Sequence, residues 1–192
     1  LLGWLFVYLA ILFGMATGFR WRGWSRAVLN CLPSGLMAAT TMSSDATLPV
    51  TLAGAEKNLH DPEIARLLIP ATVNIQMPGD CFINIFLAFS LIPLFGLTHP
   101  APMQLIAFWF SFVLARFAAV GVTGGAIWLM IPLYEQYLGF TPAMTSLMIS
   151  FNLLLDPIVT SSNVMGNGAL AMLFERLLGH RVLSSGKPLV AR

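Results

Sequence analysis

Long apolar runs broken at a few polar points set the pattern of this chain. The first run, LLGWLFVYLAILFGMATGF (1–19), holds no charged residue, and as a helix it is long enough to cross a hydrocarbon layer of about 30 Å. Arg20, Arg22 and Arg26 follow it. A secretory leader carries its positive residues before the apolar run, so residues 1–23 read as a spanning helix of a chain that begins further upstream. Between Arg26 and Lys57 the sequence is apolar again, except for TTMSSDATLP (40–49) near its middle. Two full crossings need roughly forty residues and only about thirty are present. Residues 24–59 therefore read as a helical hairpin that enters, turns halfway and returns. The same arithmetic applies to 101–138, whose midpoint is the glycine-rich AAVGVTGGA (118–126).

Two further runs carry polar interruptions. In LLIPATVNIQMPGDCFINIFLAF (67–89) the cluster NIQMPGD (74–80) combines Asn, Gln, Pro, Gly and Asp, which together terminate a helix. A broken helix over 62–96 is expected. The run over 141–179 stays apolar but places Asp156, Thr160, Asn163 and Asn167 at spacings of four, three and four, which put them on one helix face. A polar stripe on an apolar helix faces a cavity or a neighbouring helix rather than lipid. The expected fold is an all-α membrane protein with three spanning helices and two opposed re-entrant hairpins. These form an inverted repeat: span 1–23, hairpin 24–59, broken span 62–97, hairpin 101–138, span 141–179 and a cytoplasmic tail over 180–192. Secondary transporters use this plan, with substrate sites at the midplane where helices break.

Composition agrees with that environment. Hydrophobic residues make up 57% of the chain and charged residues 9%, against about a quarter charged in a soluble domain. Positive residues gather at Arg20–Arg26, Lys57–Arg66 and Arg176–Arg192, while 97–103 and 132–140 hold no lysine or arginine. The positive-inside rule makes 24–59 the inner hairpin and 101–138 the outer one. A net charge of +2 is too small and dispersed for a nucleic-acid partner. Cys31 and Cys81 lack any paired spacing, and His60, His99 and His180 lie far apart, so no metal centre is expected beyond an alkali-cation site. GHRVLSSGK (179–187) fails as a phosphate loop, because its glycine spacing is wrong and Pro188 follows the lysine. Ser43 or Ser44 with Asp45 would be the basis of an intramembrane hydrolase, but no base stands near them in the sequence and neighbouring Ser and Asp do not make a triad. No catalytic residue and no cofactor are expected.

Four stretches in order resemble the glutamate/dicarboxylate–cation symporter family over about residues 1–180. SSDATLP (43–49) resembles the family's inner-hairpin tip, and ATVN (71–74) the entry to its broken helix. GVTGGA (121–126) resembles the outer-hairpin tip, and DPIVTSSNVMGNG (156–168) its substrate-binding helix. The resemblance implies the C-terminal half of a secondary active symporter that moves a small amino acid or dicarboxylate by alternating access. It implies an integral membrane protein of the bacterial inner (plasma) membrane, surrounded by lipid, with a homotrimeric full-length parent and a small-molecule substrate. The alternative is a truncated, transport-incompetent remnant that still binds.

The resemblance also implies site residues. Ser43, Ser44, Asp45, Thr47, Gly121, Val122, Gly125, Asp156, Thr160 and Asn163 correspond to the substrate site, with Asp156 placed for an amino group. Asn74, Gln76, Asn163 and Asn167 correspond to cation sites. Thr47 is expected to cap the returning half of the inner hairpin, with Pro49 in its first turn, so that free amides face an anionic group. Three departures bear on specificity. Val159 stands where acidic-substrate members carry an arginine, Gln76 where sodium-coupled members carry an aspartate, and Asn167 replaces another aspartate. Losing carboxylates weakens hard-cation sites, which counts against the usual sodium scheme and leaves sodium and the proton as alternatives. Asp45, Asp80 and Arg116 are added charges; Asp45 is expected to approach Arg116 across the hairpin tips, either pairing with it or leaving Arg116 to supply the cation that Val159 lacks.

Overall fold

The computed structural model describes residues 2–118 and 126–184. These form eight helices and, among the described residues, no strand: α1 (Leu2–Thr17), α2 (Trp21–Thr41), α3 (Leu48–Glu56), α4 (Pro62–Thr72), α5 (Pro78–Leu94), α6 (Pro102–Ala118), α7 (Ala126–Leu138) and α8 (Pro142–Ser184). Five of them, α3, α4, α5, α6 and α8, begin at or one residue before a proline. In a first turn its missing N–H costs nothing and its fixed φ suits the helix.

The first apolar run does not make one straight crossing. α1 ends at Thr17, where Gly18 and Phe19 both take positive φ, 68° and 56°. Phe19 N–H donates to the Gly14 carbonyl and Gly18 N–H to the Met15 carbonyl, the two bonds of a Schellman ending. The chain then turns by 118° into α2. With 16 residues, α1 is about 24 Å long, short of a bilayer core. Within α8, Pro142–Gly179 is long and apolar enough to cross; α1 and α2 pass that test only as one bent pair. By length and composition, one or two candidate spans lie among the described residues, where three were expected.

Over the stretches expected to form hairpins, α2 packs on α3 and α6 on α7. In the first pair the backbones lie close at Gly54, where a Cβ would sit 2.6 Å from the Asn30 carbonyl oxygen. The tip between α6 and α7, including the expected lid residues Gly121, Val122 and Gly125, lies outside the described residues. The helix expected to end at 179 continues to Ser184.

α8 is the common wall. Its first half packs Met144 and Met148 with Leu91, Ile92, Phe108, Phe112, Met130 and Tyr134 from α5, α6 and α7. Further along, Val159 meets Leu5 and Ile83. Met165, Ala169 and Met172 pack with Leu12, Phe13, Ala27 and Cys31 of α1 and α2. Ala171 meets Ala55, Ala65 and Ile69 of α3 and α4. Large apolar side chains such as Trp4, Phe6, Trp21, Met103, Phe110 and Leu154 are left exposed, as expected of a surface covered by lipid.

Candidate functional site

The break between α4 and α5 lies against the polar face of α8. Amides of Ile75 and Gln76 both donate to the Thr72 carbonyl, closing α4 with a tight turn. Pro78 then opens α5. At the next residue the backbone is pressed against α8: a Cβ on Gly79 would stand 2.6 Å from Ser162 Oγ and 2.9 Å from Asn163 Oδ1. That proximity lets Gly79 N–H donate to Asn163 Oδ1 at 2.8 Å. The other end of the same amide donates through Nδ2 to Asp80 Oδ2 at 2.6 Å. Asn163 thus ties both the backbone and the carboxylate at the start of α5 to α8.

Asp80 holds a second partner, Arg116 near the end of α6, with Nη2 3.5 Å from Oδ2. Arg116 is 6% exposed. Its Nη2 also lies 3.6 Å from Met77 Sδ, whereas Nε and Nη1 are buried and, among the described residues, have no hydrogen-bond partner. Behind Asp80 the Asn84 side chain donates to the Asp80 carbonyl at 2.9 Å and accepts from the Tyr134 hydroxyl at 2.9 Å. The pairing expected between Arg116 and Asp45 is therefore not the one formed. Asp45 is exposed and lies 3.5 Å from the Asn74 Nδ2.

Elsewhere on the α8 face, the Thr160 hydroxyl donates to Asp156 Oδ1 at 2.7 Å, one turn apart. Asn167 is buried and accepts from the Thr72 hydroxyl at 2.6 Å, while its Nδ2 donates to the Ile69 carbonyl at 3.2 Å. Gln76 Nε2 donates to the Tyr8 hydroxyl at 2.6 Å. The four amides proposed for cations, Asn74, Gln76, Asn163 and Asn167, each bind a different protein partner. No group of three or more His, Cys, Asp or Glu side chains converges among the described residues. Val159 is buried with Leu5 and Ile83, so this position faces an apolar cluster.

The inner turn differs from expectation. Thr47 precedes α3 with an αR backbone and makes no side-chain cap bond. Its buried hydroxyl donates backwards, with the Ser44 carbonyl at 2.9 Å and the Ser43 carbonyl at 3.2 Å. Ala46 N–H donates to Ser43 Oγ, Thr47 N–H to the Ser43 carbonyl and Leu48 N–H to the Asp45 carbonyl. Pro49 has no N–H to give. The turn thus takes up the Ala46, Thr47 and Leu48 amides, because Ser43 at its start and Asp45 supply competing acceptors. Among the described residues Ser43 makes no bond to a histidine; His60 lies on Glu175.

The structure brings Asp156, Thr160 and Asn163 together on α8 and adds Asp80 and Arg116 beside them. Ser43, Ser44 and Thr47 stand in a self-bonded turn linked to the break through Asp45 and Asn74. Sequence reasoning missed Tyr8, Thr72, Asn84 and Tyr134. Asn84 carried a signal, since it stands four residues after Asp80 in an apolar run; the tyrosines carried none.

The model of the sodium:dicarboxylate symporter family matches residues 1–177. An "Excitatory amino acid transporter" of Caenorhabditis elegans is 30% identical over 69% of this chain and 26% of its own. "Excitatory amino acid transporter 3" of Mus musculus is 29% identical over 79% of this chain and 29% of its own. The chain thus spans between a quarter and a third of the length of these relatives. No solved structure gives a significant match. With nearly all of its length covered by one family model, the chain belongs to the sodium:dicarboxylate symporter family.

Proposed function

We propose that this chain forms the substrate-carrying part of a secondary symporter for a small amino acid or dicarboxylate, working by alternating access with a coupled cation. In this reading α2–α3 and α6–α7 are re-entrant hairpins of opposite entry, each followed by a span, and form an inverted repeat. The whole protein sits in a lipid bilayer, the bacterial inner membrane, as a homotrimer. Asp156 receives an ammonium group, with Thr160 orienting the carboxylate, and Asn163 couples the site to the broken helix. The outer tip around Gly121, Val122 and Gly125 acts as the lid. Ser43, Ser44, Asp45 and Thr47 line the inner side. Asn74, Gln76, Asn163 and Asn167 supply amide oxygens to a sodium ion or yield the coupling role to a proton.

One observation carries this reading: a buried polar face on an apolar helix, Thr160, Asn163 and Asn167, pressed against a helix break at 73–77. Irregular backbone inside a membrane is tolerated only where protein or a water-filled cavity surrounds it. The test is uptake into proteoliposomes by the full chain, with amino acids and dicarboxylates, across sodium and proton gradients imposed separately. Accumulation driven by one of the two gradients is expected. Equilibration at the same rate with no gradient, for every substrate tried, overturns symport.

A further inference from the structure

Arg116 is the feature that the site as described leaves unexplained. A guanidinium has five N–H donors and cannot be neutralised by losing a proton. Here it is buried, only Nη2 reaches Asp80 and Met77, and the donors on Nε and Nη1 have no partner among the described residues. Buried donors are ordinarily paired, so these are available to an acceptor. The other described basic side chains, Arg20, Arg22, Arg26, Lys57, Arg66 and Arg176, are all exposed. Residues 119–125 contain no lysine or arginine. At the α3 terminus, the Ala46, Thr47 and Leu48 amides are given to its own turn, and Val50 is not buried. Arg116 is therefore the buried anion receptor among the described residues.

The charges beside it select the ligand. Asn163 binds Asp80 and lies one helical turn from Thr160, which binds Asp156. With both carboxylates ionised, Asp80, Asp156 and Arg116 sum to one negative charge. A ligand with one ammonium and one carboxylate leaves that sum unchanged, to be balanced by a single coupled cation or proton. A dicarboxylate without an amino group leaves two negative charges more, and uncompensated buried charge is strongly unfavourable. We infer that Arg116 is the specificity-determining anchor for a single carboxylate, so that the site takes a zwitterionic, one-carboxylate amino acid in preference to a dicarboxylate. This rests on the transport reading above and narrows its substrate class.

The test is calorimetric binding by the purified full chain, with L-serine, ethanolamine and succinate as probes. Ethanolamine keeps the ammonium and lacks the carboxylate. L-serine should bind and succinate should not compete with it. Arg116→Gln should weaken L-serine by about 10- to 100-fold, the range for lost charged hydrogen bonds, and leave ethanolamine unchanged. A purely structural tether would weaken both probes together, and that result overturns the anchor, as does succinate binding as tightly as L-serine. If Arg116→Gln does not fold, Asp80→Asn decides. Releasing Nη2 and removing one negative charge should tighten L-serine several-fold; weaker binding overturns the inference. Serine binding of this kind without movement across a proteoliposome bilayer refutes the transport reading and supports the anchor. Succinate uptake without serine binding refutes the anchor and supports transport.

Discussion

The two helix pairs, α2–α3 on the proposed inner side and α6–α7 on the proposed outer side, handle buried polar groups in opposite ways. In the first, the turn before α3 bonds to itself through Ser43, Ser44, Asp45 and Thr47, and the charged member, Asp45, is exposed. In the second, α6 brings a guanidinium into the interior and leaves part of its donor capacity unspent. A helix terminus attracts an anion only while its amides are free, and the inner turn shows how readily local acceptors remove them. A long side chain anchored from one edge keeps its other donors free for a ligand.

Removing the partner from the outer side should have the largest effect. Asp80→Ala takes away the ion pair and the Asn163 bond together, leaving a buried guanidinium without its counter-ion. A loss of about 3–5 kcal/mol is expected from denaturant unfolding in detergent. A loss below about 1 kcal/mol would mean that the ion pair is solvated and that the two helix pairs do not differ as described. On the inner side, Gly54→Ala places a methyl 2.6 Å from the Asn30 carbonyl oxygen, where backbone rather than a flexible side chain must move. Its cost should be about 1–3 kcal/mol, and an unchanged melting temperature would show that α2 and α3 are free to separate.

Tyr134→Phe is the subtler cut on the outer side. It strands the Asn84 carbonyl oxygen behind Asp80 and should cost about 1–2 kcal/mol. The same variant should leave a spin label on α3 unaffected, since that helix shares no cluster with Tyr134. Asp45→Asn should change stability by less than about 0.5 kcal/mol, the usual range for an exposed position. Uptake or its pH dependence should nevertheless change, since Asp45 is proposed to line the substrate path. Uptake unchanged in both respects would remove Asp45 from that lining.

Much of this arrangement could be read from residue order because it depends on local rules. Asn74, Gln76, Pro78 and Gly79 end one helix and begin another, and Asp156 to Asn167 share a face by spacing alone. The bend at Gly18–Phe19 was hidden inside an unbroken apolar run, where hydrophobicity says nothing about φ. Thr47 looked like a cap because the residue type favours that role, but Ser43 upstream offered competing acceptors. Arg116 and Asp80 are 36 residues apart in the sequence, and charge alone fits Arg116 to either Asp45 or Asp80. Only the packing of α6 against α5 and α8 decides between them.

α8 passes through all four apolar clusters, from Met144 to Met172. Among the described residues, sliding one cluster past another would therefore require α8 itself to bend. A displacement of α8 would then be felt by α1, α2 and α5, which pack along it. Distances between labels on α1 and α5, both packed on α8, should stay fixed when substrate is added.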